Sequence, residues 1–166
     1  MPARVRRPRP AVLCTIAGIA AGIAVTATAS ALQRDVPPMW SWLDQYYADY
    51  TAMSRAPTGP AMDRWLAHYA PDAFFEDPTL GVSATGHVQI RKPYVEAFTG
   101  RLGPVLWTIV RRATGGEWAV VEGWLDATQS GKPVRTRFTT WLKIRDGKIV
   151  HQIDYLDYAP MRAAVQ

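Results

Sequence analysis

The chain has 166 residues, a formal charge of +5 and a single cysteine. Of its nineteen Lys and Arg, four precede Ala11, whereas none of the fourteen Asp and Glu precedes Asp35, so the basic excess belongs to the first ten residues. Beyond residue 31, fifteen cations face fourteen anions and Cys14 has been left behind; a basic nucleic-acid surface, disulfides, cysteine–zinc sites and cysteine nucleophiles are excluded for that part.

The basic start runs into A-V-L-C-T-I-A-G-I-A-A-G-I-A and then V-T-A-T-A-S-A. A charged start, a short apolar run and a small-x-small exit make a secretory signal peptide. Residues 1–31 are therefore expected to be a leader, with the mature protein starting at Ser30 or Leu32 in the periplasm or outside the cell. The alternative is an uncleaved anchor, but the run is short and Gly/Ala-rich for a helix that must span with about 20 apolar residues. Once the leader is cleaved, no stable membrane insertion is expected. Residues 32–166 are of ordinary size for one domain.

In W-S-W-L-D-Q-Y-Y-A-D-Y-T-A-M, Trp40, Leu43, Tyr47 and Tyr50 step by three and four, as do Trp42, Tyr46, Tyr50 and Met53. This predicts a long helix with a wide apolar face, broken by A-P-T-G-P at 56–60. Met62, Trp65, Leu66 and Tyr69 predict a second, shorter helix. A-F-F-E-D-P reads as a short strand ended by Pro78. Gly86 to Gly100 predicts a third helix, whose regular part is expected to begin at Pro93, since proline suits a first turn rather than an interior.

From Pro104 onward the chain is rich in β-branched and aromatic residues. Four strands are predicted, in L-W-T-I-V-R-R, W-A-V-V-E-G-W-L-D-A-T, V-R-T-R-F-T-T-W-L-K-I and I-V-H-Q-I-D-Y-L-D-Y. T-G-G, Q-S-G-K and R-D-G-K between them are turn signals, which gives an antiparallel meander. The third strand is long, so the sheet is expected to twist and curl around the helices. The fold class is α+β: a curved antiparallel sheet wrapped around three helices, with a pocket at the open end.

Alternation assigns the faces of the third strand. Val134, Thr136, Phe138, Thr140, Leu142 and Ile144 form the core face; Arg135, Arg137, Thr139, Trp141, Lys143 and Arg145 form the other. The last strand is ambiguous, because Gln152 and Asp154 share one face and His151, Tyr155 and Asp157 the other. In F-F-E-D-P-T, Phe75 and Asp77 share a face, as do Phe74 and Glu76. His68, His87 and His151 are scattered over three predicted elements, so no metal site is expected. No phosphate loop or nucleophile elbow is present, and no cofactor is expected.

Y-A-P-D-A-F-F-E-D-P-T-L-G, the following G-x-x-x-I helix and the ending D-G-K-I-V-H-Q-I-D-Y-L-D-Y resemble the nuclear-transport-factor-2-like superfamily, in its SnoaL-like, ketosteroid-isomerase-like branch. The resemblance covers about Trp40 to Ala164. It implies a cone with a pocket at its open end, and dimerisation through the outer sheet face, here around Arg137, Trp141 and Tyr155. Asp77 matches the general base of the ketosteroid isomerases, inside the cone with Phe75; a purely turn-making Asp77 is the alternative. Asp154 matches the first acid of the D-Y-F-D run of limonene-epoxide-hydrolase-like members, which points inward, here beside Gln152. Tyr50 lies near the phenol donor of the isomerases, with Tyr47 as a substitute.

Two departures from those enzymes stand out. The isomerases' second, protonated acid falls at Thr140, a weaker donor. The epoxide hydrolases' Arg-x-Asp pair falls at Val121-Glu122-Gly123, where Glu122 would serve only if the register slipped by one. The expected site comprises Asp77, Asp154 and Tyr50, with Phe75, Phe138, Thr140, Gln152 and Tyr47 lining the pocket. The implied partner is a small hydrophobic molecule such as a terpenoid, steroid or polyketide, handled by acid–base chemistry. The competing expectation is a non-catalytic ligand-binding or dimeric interaction module.

Overall fold

The computed structural model describes residues 39–166; the expected leader and its cleavage site lie outside the described residues. Three helices, α1 (Met39–Arg55), α2 (Pro60–Leu66) and α3 (Gly86–Thr99), accompany six strands: β1 (Tyr69–Asp77), β2 (Val82–Thr85), β3 (Leu106–Gly115), β4 (Trp118–Gln129), β5 (Lys132–Arg145) and β6 (Lys148–Leu156). A short α4 (Ala159–Ala164) follows the last strand. The strands form one curved, unclosed sheet in the order β2-β1-β6-β5-β4-β3. The α+β cone is therefore as expected.

The meander is held by its turns. Ser130-Gly131 and Asp146-Gly147 are two-residue connections in which both residues have positive φ. That geometry matches the twist of the flanking strands and favours Gly, with Asn or Asp beside it. The β5 alternation holds at every core position from Val134 to Ile144, all of which are buried.

Several details differ from expectation. The sheet is not wholly antiparallel, since β1 runs parallel to β6. Strand β2 is four residues long, V-S-A-T, too short to show alternation, and it pairs back onto β1 after the Asp77–Leu80 turn. Helix α3 starts at Gly86 rather than at Pro93 and carries the proline inside. Its first turn is secured because the Thr85 N–H donates to Gln89 Oε1 at 3.0 Å, and Pro93 is turned into a cavity wall. The closing α4 was not foreseen.

The core lies between α1–α3 and the concave sheet face. Trp65, Tyr46, Tyr69, Phe138 and Leu43 are fully buried there. Strand β3 bulges between Ile109 and Arg111, opposite Gly123. A Cβ on Gly123 would lie 2.1 Å from the Thr108 carbonyl oxygen and 3.0 Å from Phe138 Cε1. Backbone cannot yield as a flexible side chain can, so glycine marks a close strand approach. Gly123→Ala is expected to destabilise the fold by about 1–3 kcal/mol through overpacking. Urea unfolding checks it, and an unchanged midpoint would mean that β3 yields freely.

Candidate active site

Asp77 closes β1 and Asp154 sits in β6. These strands are neighbours, with Phe75 opposite Gln152 and Glu76 opposite Ile153. Carried one residue further, that parallel register brings Asp77 level with Asp154, on strands about 4.8 Å apart. Both acids are buried, at 3 % and 6 % exposure. They open onto one cavity of about 190 Å³. Its remaining wall is apolar and aromatic: Tyr50 from α1, Phe75 from β1, Tyr94 and Phe98 from α3, Trp107 from β3 and Tyr158 beyond β6.

Asp77 has both roles that the sequence left open. Its Oδ1 accepts from the Leu80 N–H at 3.1 Å, so it does make the turn. Its Oδ2 accepts from the Tyr158 hydroxyl at 2.5 Å, inside the cavity wall. Burial and the adjacent Asp77 carboxylate push the Tyr158 phenol well above its ordinary range, so Tyr158 is a neutral donor. Glu76 turns to the outer face, where it meets His151 Nε2 at 2.9 Å.

Asp154 is held from behind. Thr140 Oγ1 donates to its Oδ1 at 2.7 Å, and Gln152 Nε2 donates to its Oδ2 at 2.8 Å. Gln152 is oriented in turn by two phenols: Tyr69 and Tyr46 donate to its Oε1 at 2.6 and 3.0 Å. Burial pushes the Asp154 carboxyl up from 3.8 to about 7; the two hydrogen bonds oppose this, and the charge of Asp77 adds to it. Desolvation disfavours the ionised form more than two neutral donors favour it.

The expected pocket residues divide accordingly. Asp77, Asp154, Tyr50 and Phe75 are on the cavity wall. Thr140, Gln152, Phe138 and Tyr47 are not; they lie one layer behind it, which is a correction. Thr140 and Gln152 are used up in bonding Asp154. Tyr47 packs against Trp107 and Phe138, and its buried hydroxyl has no hydrogen-bond partner. Of Tyr47 and Tyr50, Tyr50 is the one facing the cavity. Glu122 points to the outer face, paired with Arg137 and Arg111, so the slipped register does not occur. The sequence reading missed Tyr158, Tyr94 and Trp107. Tyr158 stood in the quoted D-Y-L-D-Y run, but only the chain reversal after β6 directs it back to Asp77.

A curved sheet cupping helices over an acid-bearing cavity at one end is the cone of the nuclear-transport-factor-2-like superfamily. The chain belongs to the SnoaL-like domain family, whose profile matches residues 44–152. Among solved structures it is similar to a hypothetical protein with a ketosteroid isomerase-like fold from Catenulispora acidiphila, in complex with trimethylamine (23 % identity, TM-score 0.59, covering 70 % of this chain and 90 % of that one). It is also similar to a candidate SnoaL-like polyketide cyclase from Shewanella putrefaciens (19 %, TM-score 0.64, 89 % and 98 %). A third is an NTF2-like protein of unknown function from Burkholderia pseudomallei (20 %, TM-score 0.62, 75 % and 97 %). These identities speak for the fold alone. No curated protein matches the chain.

Proposed function

We propose that this protein carries out general acid–base chemistry on a small, mostly apolar molecule held in the cavity. The observation carrying this reading is that Asp77 and Asp154 share one aromatic cavity whose lining, among the described residues, contains no Lys, Arg or His. A carboxyl group with proton affinity near neutrality serves as either acid or base. Asp154 is suited to that exchange, Asp77 is the second carboxyl group, oriented by Tyr158, and Tyr50 is the phenol donor to a substrate oxygen.

Size narrows the substrate. A volume of about 190 Å³ lies slightly above the ~150 Å³ cavity that takes benzene and below the ~300 Å³ at which drug-sized pockets begin. A one-ring or short branched molecule suits it better than a four-ring steroid or polycyclic polyketide.

The test is proton exchange. One-ring ketones and enones are incubated with the protein in D2O, and deuterium uptake or double-bond migration is followed by NMR. The wild type should accelerate one of them, and Asp154→Asn and Asp77→Asn should each reduce that rate by about 10²–10⁴-fold. Ligand retention without any exchange, equal in wild type and both variants, would favour the non-catalytic binding module.

Export with loss of residues 1–31 belongs to the same proposal, as does a homodimer. On the outer sheet face Trp141 and Tyr155 are 43 % and 45 % exposed. Trp141 meets Trp118 edge-on, while nearby Arg137 and Arg145 are paired with Glu122 and Glu117. Aromatic anchors with neutralised charge suit a self-complementary interface. Trp141→Glu is expected to lower the sedimentation coefficient toward that of a monomer; a monomeric wild type would end the idea.

A further inference from the structure

The same cavity poses a question of charge, and its answer rests on the acid–base reading above. Two carboxylates are buried side by side, and among the described residues no cationic side chain lines the space they face. Arg101 and Arg162 line an adjoining surface hollow with Glu96, on the other side of Tyr158 and Met161, which line both. The donors that reach the acids are neutral: Thr140, Gln152, Tyr158 and the Leu80 N–H. Buried charge that the protein leaves unpaired is costly, and a cation in the cavity offsets it.

The rest of the wall fits the same partner. The Tyr50 ring centroid lies 4.8 Å from that of Trp107, 5.6 Å from Tyr94 and 6.4 Å from Phe98; Phe75 lies 5.7 Å from Tyr94. These five rings pack in a contiguous series along the wall of the cavity that the acids also line. Aromatic faces attract cations most strongly where water is excluded, and cages of this type recognise alkylated ammonium groups.

We infer that the cavity selects a small molecule carrying a positively charged nitrogen, a protonated or quaternary amine on one ring or a short branched frame. The aromatic rings enclose the alkyl groups on the nitrogen. Asp77 and Asp154 supply the opposing charge. The bound cation also relieves the repulsion between the two carboxylates. Selectivity then follows from charge, because an anion of the same shape meets two carboxylates and a neutral isostere gains only burial.

Calorimetric titration of the full chain with benzylamine, benzyl alcohol and phenylacetate tests this, since the three share one ring and a short polar arm. Benzylamine should bind at least about tenfold more tightly than benzyl alcohol, and phenylacetate should be the weakest. Asp77→Asn and Asp154→Asn should each lower the ratio of benzylamine to benzyl alcohol affinity by at least about threefold. If benzyl alcohol binds as tightly as benzylamine, or phenylacetate binds best, the inference is overturned, while acid–base chemistry on a neutral molecule stands. A preference that survives both substitutions also overturns it, because the charge would be read elsewhere. Binding of none of the three would sink the cavity reading itself. Should an Asn variant not fold, the order of the three ligands on the wild type still decides.

Discussion

Between about pH 4 and pH 8 the wild-type fold is expected to lose on the order of 4 kcal/mol that an Asp154→Asn variant keeps, at roughly 1.4 kcal/mol per pH unit between the unfolded and folded titrations. The Asp154 carboxyl is raised from 3.8 to about 7 by burial first, with Asp77 adding to it. Below 3.8 the group is protonated in both states, and its contribution to stability is present in full. Between 3.8 and about 7 the unfolded chain ionises while the folded one holds its proton, so stability falls as pH rises. Above about 7 both are ionised, and the buried charge is a standing cost. Asparagine has no proton to exchange, and its oxygen can still accept from Thr140. Urea midpoints of both proteins at acid, intermediate and mildly alkaline pH separate the cases. The wild type should lead or match in acid and trail in alkali. A constant gap would mean that Asp154 titrates as it does in the unfolded chain, and the acid–base role would lose its basis.

Gln152→Leu is expected to cost about 3 kcal/mol at neutral pH, more than an ordinary core substitution of similar shape. The amide satisfies three buried groups at once: it accepts from Tyr46 and Tyr69 and donates to Asp154. Leucine leaves the two phenols only each other, at 3.1 Å, and leaves one Asp154 oxygen bare. Each stranded buried group carries a desolvation penalty of roughly 1–3 kcal/mol. Losing the Gln152 bond also raises the proton affinity of Asp154 further, so the pH profile of any turnover should move to higher pH along with the loss of stability. A loss under about 1 kcal/mol, with the profile unmoved, would mean that the network does not hold the acid.

How much of this was legible depended on whether a feature is local. The β5 alternation and the S-G and D-G turns are local, and both are met residue by residue. Alternation pairs Asp77 with Phe75 and Glu76 with Phe74, but with a Phe on each face only the family resemblance turned Asp77 inward. The face of Asp154 was not readable from alternation, since Gln152 and Asp154 look as polar as His151 and Asp157. It is decided by partners distant in sequence: Tyr46, Tyr69 and Thr140 make Gln152 and Asp154 the satisfied, buried pair. Thr140 was read as a weak substitute donor facing the pocket. It instead spends its hydroxyl on Asp154, which only the β5–β6 register reveals, with Thr140 directly opposite Asp154. Strand β2 and helix α4 were too short to carry a period. The parallel β1–β6 pair joins segments with most of the domain between them, and no spacing rule reaches that far.

That pairing also sets the order in which the site can come into being. Asp77 belongs to the first strand and Asp154 to the last, and Tyr158 follows Asp154. While the chain is being made, every residue through β5 can emerge and the meander can begin to pair, yet the edge of β1 that β6 will occupy still has no partner. The cavity has no second acid until β6 arrives. Long-range closure of this kind is the slow part of folding. A chain cut short before Lys148 lacks the strand that joins β1 to β5, and with it Asp154 and Tyr158.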